Sequence, residues 1–528
     1  MSQLTATTQD VEIAEKPARL SESHIWERQK NFYVSMGIEA WRSGTIPTRI
    51  TTNSYIARDY ARLIASYVVD SQAEELTIIE LGAGHGRLGF LCVQHLKELQ
   101  EAGLLPDVRW QYVLTDVALR NIEFWEQHEG IRKYIDEGLI DVAEYAAGTE
   151  ELKLRHSGRT ISTAARSSNI VVIGNYVFDS LPIDLYQIED HKLYECLPVI
   201  TKNPEWVPAD ETSSEDSSVS KVDEFKWRWQ REEAEEQLYS DAGLQHLVDY
   251  FRDEFDNTCF EVPVSGCATI SMIDSWSDNG LLLLMADKGY LRDIDFEDRK
   301  LPHPVPHGGC YSFSANFVAF AEWFEHIGGN AFLPEFRDSA IQVAAYTTRS
   351  GDPERTHLER QFLLGNTDFS PGDYYQVVRS SDRDSEHLDL RYYLSVVRLS
   401  ACEPLVFYSL RRHIRDAVSK AKERDQQAVR EVLQTVAKRN FLWGEKDIPF
   451  AIAHIHQNMG DYAEAVQYYR ESLRLHGEHS VTFSKLSECM LKTGDTDEAM
   501  ELANRALELN PESRGAKAVL ASLDESTE

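Results

Sequence analysis

The stretch TIIELGAGHGRLGF, residues 77–90, decides how this chain folds. An apolar run reaches Glu80, three glycines follow at alternate positions (Gly82, Gly84 and Gly86), and an amphipathic segment, RLGFLCVQHLKEL, begins at Arg87. A strand, a turn without Cβ atoms and a helix are expected, because a ligand approaches backbone closely only where no side chain intervenes. Outward from this turn, apolar runs alternate with helical stretches. The pattern predicts strands at 76–81, 110–115, 140–142, 170–173 and 185–188, the alternation of a parallel α/β sheet. Upstream, YIARDYARLIASYVV (55–69) spaces its apolar residues as one helix face does. Downstream, strand-like runs at 280–286, 340–346 and 392–399, broken by a helix at 314–326, are expected to finish the same domain. From about 405 the chain reads as helix.

Two cofactors fit the glycine turn. Read from Gly84, GHGRLG satisfies the GxGxxG fingerprint of dinucleotide-binding folds. Read from Glu80, the pattern Glu-x-Gly-x-Gly-x-Gly resembles the first motif of class I S-adenosyl-L-methionine-dependent methyltransferases. The dinucleotide reading needs the strand to end just before the first glycine, whereas the natural register here puts Gly82 first. S-adenosyl-L-methionine has no phosphate to seat on a helix N-terminus, and its amino-acid portion suits a carboxylate such as Glu80. Asp116, after the strand at 110–115, is placed to accept hydrogen bonds from ribose hydroxyls of either cofactor.

The stretch IVVIGNYVFDSLP (170–182) narrows the choice. It resembles the fourth motif of the MidA-type methyltransferases, a family that includes a mitochondrial complex I assembly factor acting on a protein arginine. Where that family carries Asn-Glu-x-x-Asp-(Ala/Ser)-Leu-Pro, this chain has Asn175, Tyr176, Asp179, Ser180, Leu181 and Pro182. LYQIEDHKLYE (185–195) then supplies the family's strand and its Tyr-Glu pair, Tyr194 and Glu195. TTNSYIARDYARL (51–63), LLLLMADKGY (281–290) and HGGCYSFSANFVAFAEWFEHIG (307–328) resemble further family segments in the family's order, so the likeness spans roughly residues 45–350. It implies a Rossmann-like class I methyltransferase sheet with added α/β segments. It also implies S-adenosyl-L-methionine held by Glu80, Gly82, Gly84, Gly86, Asp116 and Asn175, with Asn175, Tyr176 and Asp179 nearest the transferred methyl. Asp179 reads equally as a base or as a cap on its turn. Asn175 offers its carbonyl to an acceptor N–H or satisfies local backbone. Two departures stand out. Tyr176 replaces the family's Glu, a carboxylate suited to a guanidinium, and Val142-Ala143-Glu144-Tyr145 follows the third strand where the family often shows an acid.

The tail repeats itself at an offset of 34 residues: Gly460-Asp461 recurs as Gly494-Asp495, Glu464-Ala465 as Glu498-Ala499, and Leu475 as Leu509. Small residues fall where two helices must approach, Ala465 and Ser472 in one copy, Ala499 and Ala506 in the next. This resembles the tetratricopeptide repeat, with a degenerate copy at 424–440 and a cap helix at 513–523. Such stacks leave a concave face for peptides, so a protein or peptide partner is expected there. The expected layout is an N-terminal extension (1–45), a methyltransferase domain (46–400) with an acidic Ser-rich insert at about 203–240, and an all-α repeat domain (405–528).

Composition bounds the partners. The 528 residues include 87 acidic and 54 basic side chains, a formal charge of −33. That balance argues against nucleic acid, whose phosphates need cations, and against anionic membrane surfaces. The N-terminal stretch is polar and the longest apolar run is LLLLMA (281–286), so neither a signal peptide nor a membrane span is expected. Seven cysteines without a CxxC pair suit a reducing cytoplasm and no zinc site. His303, His307, His454 and His456 read as loop or packing residues rather than metal ligands. Trp227 and Trp229 in KWRWQR could stack on bases, but the acidic REEAEE run beside them opposes it. The charge is uneven: residues 401–528 hold 21 acids and 17 bases, whereas 201–260 hold 16 and 6. Acidity concentrated in the sheet-bearing part favours a basic protein or peptide acceptor. The expected function is an S-adenosyl-L-methionine-dependent methyltransferase modifying a protein recruited partly by the repeats. The alternative is a catalytically reduced, cofactor-binding assembly or scaffold protein that works through them.

Overall fold

The computed structural model describes residues 18–43, 46, 50–203, 225–307, 310–335, 341–349, 357–383, 389–441 and 446–527. The first 17 residues and the greater part of the acidic insert, 204–224, lie outside the described residues.

Helices α1 (Ile25–Met36) and α2 (Glu39–Arg42) precede α3 (Ser54–Ser71), whose first turn is capped by the Asn53 side chain accepting from the Ile56 N–H. The glycine turn then joins β1 (Glu75–Leu81) to α4 (Arg87–Glu101), followed by β2 (Arg109–Asp116), α5 (Leu119–Gln127), α6 (Glu129–Asp136) and β3 (Ile140–Glu144). A short hairpin, β4 (Glu151–Lys153) with β5 (Thr160–Ser162), leads into β6 (Asn169–Asn175). Next come β7 (Asp184–Glu189), β8 (Lys192–Lys202), β9 (Phe225–Glu233), α7 (Ala242–Glu254), β10 (Thr258–Val262), α8 (Val264–Asp274) and β11 (Leu281–Asp287).

The central sheet runs β3-β2-β1-β6-β11, all parallel, and Gln342–Thr347 and Asn330–Phe332 extend it antiparallel beyond β11. Its strands are near-continuous apolar runs because both faces are covered. Ile78, Tyr112, Leu114, Val171 and Ile173 join the core under α3 and α4, while Ile79, Val113, Val172 and Leu283 join the opposite core with α7, α8 and α9 (Phe317–His326). The chain proceeds outward through β1, β2 and β3, then returns to lay β6 on the other side of β1. That reversal opens a crevice at the carboxyl ends of β1 and β6, where ligands of such sheets bind.

Two expectations about strands are corrected. The run at 185–188 is a strand, but it belongs to a separate antiparallel sheet, β10-β7-β8-β9. Asp190 and His191, both with positive φ, fold β7 directly back onto β8, and its other edge pairs antiparallel with β10, so both edges are taken outside the central sheet. The run at 392–399 is helical. After α10 (His357–Phe362) and α11 (Pro371–Arg383), α12 (Leu390–Leu399) starts at Asp389, whose side chain accepts from the Tyr392 N–H. Leu390, Tyr393, Leu394 and Val397, spaced three and four apart, form its buried stripe. The aromatic and β-branched content of YYLSVV favours a strand, but the fold follows the three- and four-residue period.

The helix α12 shares a core with α13 (Pro404–Val418), α14 (Glu423–Lys438) and α15 (Ile448–Met459). A further core joins α15 to α16 (Tyr462–His476), α17 (Ser480–Thr493), α18 (Thr496–Leu509) and α19 (Arg514–Thr527). Gly460 and Gly494 end α15 and α17 in the left-handed conformation, and Ala465, Ser472, Ala499 and Ala506 are buried between helices. Arg474 to Glu129 and Arg439 to Glu98, each 2.9 Å, tie these helices to α6 and α4. Among the described residues no helix is long and apolar enough to cross a membrane.

Candidate functional site

A cavity of about 450 Å³ lies at the carboxyl ends of β1, β2 and β6. Gly82, Ala83, Asp116, Asn175 and Tyr176 line it from the sheet, Thr51 and Thr52 from the lead into α3, and Trp26, Tyr33 and Trp41 from α1 and α2.

The three glycines take φ of 57°, 56° and 76°, the left-handed region that costs residues with a Cβ. Their surroundings differ. A Cβ on Gly86 would stand 2.9 Å from Ile131 and the Trp125 ring, and one on Gly84 would stand 2.8 Å from the Trp41 ring. One on Gly82 meets only Val177, at 3.4 Å, so this glycine faces the cavity. The Trp125 indole donates to the Gly84 carbonyl at 3.0 Å and fixes the turn from behind.

Asp116 is buried at the end of β2. Its carboxylate accepts from the Gly84 N–H at 3.0 Å and the Ala118 N–H at 2.9 Å, while burial raises its pKa. It therefore ties the glycine turn to β2, and a carboxylate's remaining lone pairs are what a ribose could use. Glu80 stands where expected, but the protein itself takes up its carboxyl. Tyr112 donates to it at 2.8 Å, the Gly89 N–H also reaches it, and a Cβ on Gly89 would come within 2.8 Å of its oxygen. Burial pushes its pKa up to about 8. Glu80 also lines the cavity, and these contacts brace β1 against β2 and α4.

Asn175 is held at both ends, its Oδ1 accepting from Tyr60 at 2.7 Å and its Nδ2 donating to the Thr51 carbonyl at 2.9 Å. Both partners are distant in the chain, 115 and 124 residues away, so these bonds tie the end of β6 to α3 and its lead. Tyr176 adopts φ 54°, unusual for a residue with a Cβ, and its N–H donates to the Ala286 carbonyl at 2.9 Å. Its ring borders the cavity, and burial raises its hydroxyl's pKa. Asp179 is buried behind that wall. Its carboxylate accepts from Ser180 Oγ at 2.8 Å, and its N–H donates to Asp287 at 3.1 Å. Burial raises the pKa of both Asp179 and Asp287, and for Asp287 the neighbouring Asp179 charge adds to the rise. Ser180, not Asp179, lines the cavity.

The aromatic residues of α1 and α2 were missed in the sequence. Tyr33 stacks on Trp41 with centroids 6.1 Å apart, and Trp41 tilts against His85 at 6.5 Å. Their signal was available in WERQKNFYVSMGIEAW (26–41), where Trp26 and Tyr33 fall seven residues apart on one helix side. Tyr145, Ala146 and Ala147, after β3, line one edge of the cavity. Elsewhere, His307 pairs with Ser312 at 3.0 Å and His456 with Asp461 at 3.2 Å. Trp227 packs on Tyr311 and Phe313, Trp229 bonds to the Pro302 carbonyl, and Arg231 pairs with Glu189 at 2.7 Å. Among the described residues no three His, Cys, Asp or Glu side chains gather as a metal site.

Residues 56–298 match the family described as "Putative S-adenosyl-L-methionine-dependent methyltransferase". Residues 448–512 match the tetratricopeptide repeat. The methyltransferase segment encloses β1 to β11 and the glycine turn, but not α1 and α2, which roof the cavity. No curated protein matches the chain. Two crystal structures from Burkholderia thailandensis are similar to it, one of an uncharacterised protein and one of a protein bound to S-adenosyl-homocysteine. Each shares 13% identity over 64% of this chain and 92% of that chain, with TM-scores of 0.37 and 0.38.

Proposed function

We propose that the protein is an S-adenosyl-L-methionine-dependent methyltransferase acting on a protein, recruited partly by the repeat helices. The observation that carries the cofactor assignment is the left-handed glycine turn at the switch point, with Gly82 open to the cavity and Asp116 bonded to the Gly84 N–H. These residues fit the group: backbone at close approach, a buried acid beside it, and aromatic side chains opposite. When bound, S-adenosyl-L-methionine supplies an electrophilic methyl on a sulfonium. Gly82, Ala83 and Asp116 hold the cofactor end, and Trp41 and Tyr33 exclude water from it. Asn175, fixed by Tyr60 and Thr51, sets the wall at the end of β6. Transfer needs acceptor and methyl held in line. Ser180 faces the cavity with Asp179 behind it, a route by which a proton leaving the acceptor reaches a buried carboxylate.

The acidic balance of the sheet-bearing part and its tie to the repeats support a basic protein acceptor presented by the tail. A reducing cytoplasm is part of the same reading, since all seven cysteines are buried thiols. Calorimetry of the full chain with S-adenosyl-L-methionine and S-adenosyl-homocysteine tests the cofactor, and absence of binding to folded protein refutes it. Incubation with methyl-labelled cofactor and lysate fractions tests the acceptor; label confined to small molecules refutes a protein. The second reading, a catalytically reduced scaffold that keeps the cofactor, is favoured by Tyr176 in place of an acid. Binding without label transfer to any fraction would establish it.

A further inference from the structure

We infer that Glu403, beyond the segment matching the methyltransferase family, is a positioning residue of the cofactor cavity, and thus that the C-terminal helices complete the cofactor site. This rests on the proposed function above. Glu403 is the N-cap of α13, where its carboxylate accepts from the Leu405 N–H at 3.2 Å. The same carboxylate accepts from the Ser54 N–H at 2.9 Å and forms an ion pair with Arg87. The pair is buried, with side chains 3% and 8% exposed. Arg87 is the first residue of α4, directly after Gly86, and its second guanidinium nitrogen donates to the Thr52 carbonyl at 2.7 Å.

One carboxylate therefore joins three pieces: the helix leaving the glycine turn, the 51–54 segment, and α13. The 51–54 segment reaches the cavity twice, because Thr51 and Thr52 line it and the Thr51 carbonyl holds Asn175. The joint is reinforced. Ser54 Oγ donates to the Ala401 carbonyl at 2.9 Å and meets His95 at 3.0 Å. Ala401 and Cys402, at φ 53° and 57°, are two successive non-glycine residues in the left-handed region, and they turn the chain into the position from which Glu403 reaches Arg87. Such backbone persists only where surrounding structure over-determines it. A surface cap on α13 would need neither the buried partner nor the strained approach. Glu403 touches no cavity space itself and acts through Arg87 and Ser54.

The test uses the full chain as Glu403→Gln, Glu403→Asp and the apolar pair Arg87→Met with Glu403→Leu, a replacement that buried ion pairs often tolerate without loss of fold. Calorimetry with S-adenosyl-homocysteine reads affinity, and amide hydrogen exchange reads residues 51–55 and 84–88. Glu403→Gln and the apolar pair are expected to remain folded, bind about tenfold more weakly or worse, and exchange faster in those two segments; Glu403→Asp is expected to recover part of the affinity. A lowered unfolding midpoint with affinity and local exchange unchanged in folded protein would overturn the inference, because it marks a structural cap only. Wild-type protein that binds no S-adenosyl-homocysteine refutes the proposed function instead, and the exchange of residues 51–55 and 84–88 then still decides whether Glu403 orders the cavity wall.

Discussion

Replacing single glycines of the turn by alanine separates folding from binding. Both Gly82 and Gly86 lie at positive φ, so alanine at either costs about 1–2 kcal/mol of backbone strain. On Gly86 the new methyl also meets Ile131 and Trp125 at 2.9 Å in a filled core, and overpacking of this kind adds about 1–3 kcal/mol. On Gly82 the nearest atom, Val177 Cγ2, is at ordinary contact distance, 3.4 Å, so strain is the whole cost. Gly86→Ala should therefore lower stability by about 2–5 kcal/mol and Gly82→Ala by about 1–2 kcal/mol. Binding should rank the other way, because Gly82 lines the cavity and Gly86 does not. In folded protein Gly82→Ala is expected to weaken S-adenosyl-homocysteine by about tenfold or more, about 1.4 kcal/mol, with Gly86→Ala near wild type. Urea unfolding followed by tryptophan fluorescence, compared at unchanged m, gives the first ranking, and calorimetry gives the second. Equal midpoints, or undiminished binding by Gly82→Ala, would refute the assignment of Gly82 to the ligand and Gly86 to the core.

Tyr60→Phe removes the donor to Asn175 Oδ1, a half-buried acceptor on the cavity wall, a loss of about 0.5–1.5 kcal/mol visible as a lower urea midpoint; an unchanged midpoint contradicts the contact. Burial raises the folded pKa of Glu80 to about 8 from 4.5, so its contribution to stability is full below pH 4.5 and is lost as pH rises through about 8. Glu80→Gln should flatten that decline across the pH window, and a variant with the wild-type slope would place the titration elsewhere. Ala499→Leu inserts bulk at a wholly buried repeat position and should destabilise α17 to α19 by about 1–3 kcal/mol, read by amide exchange, while S-adenosyl-homocysteine affinity stays at wild type. Weakened cofactor binding in that variant would mean that the distal repeat, and not only α13, shapes the cavity.

The parts legible in the sequence are those whose physics is local or periodic. The central strands announce themselves because burial on both faces leaves no polar alternation to disguise them, as in Ile170 to Ile173. Gly82, Gly84 and Gly86 are legible because left-handed backbone selects glycine, and Gly460 and Gly494 because helix ends do. The rest depends on contacts distant in the chain. Trp41 packs on Gly84 across 43 positions and Glu403 meets Arg87 across 316, and no local pattern marks either pair. The side chains of Glu80 and Asn175 were visible as residue types, but their partners, Tyr112, Tyr60 and Thr51, are set by the packing of α3 and β2 against β1 and β6.

Tyr176 bears most directly on the acceptor. The residue after Asn175 sits at positive φ with its N–H bonded to the Ala286 carbonyl, a turn that projects its side chain onto the cavity wall. A Glu projected from this backbone would bring a carboxylate to that wall; the tyrosine brings a ring with a neutral hydroxyl, whose pKa burial raises further. Of the acids beside that turn, Asp179 is withdrawn behind Ser180 and Asp287 is wholly buried against the Asp179 N–H, both raised in pKa by burial, so neither replaces a solvent-facing carboxylate. Across the cavity stand Trp26, Tyr33 and Trp41, with the exposed Glu27 beside Trp26 on α1. On the proposed function, an arginine acceptor at the Tyr176 wall would thus meet ring faces, at about 0.5–2 kcal/mol per contact, and the two-pronged hydrogen bonding of a carboxylate would have to come from Glu27 on α1. Ring faces fix a side chain's plane but not the nitrogen presented, so this wall selects a flat or methylene-rich acceptor more strongly than it selects a guanidinium.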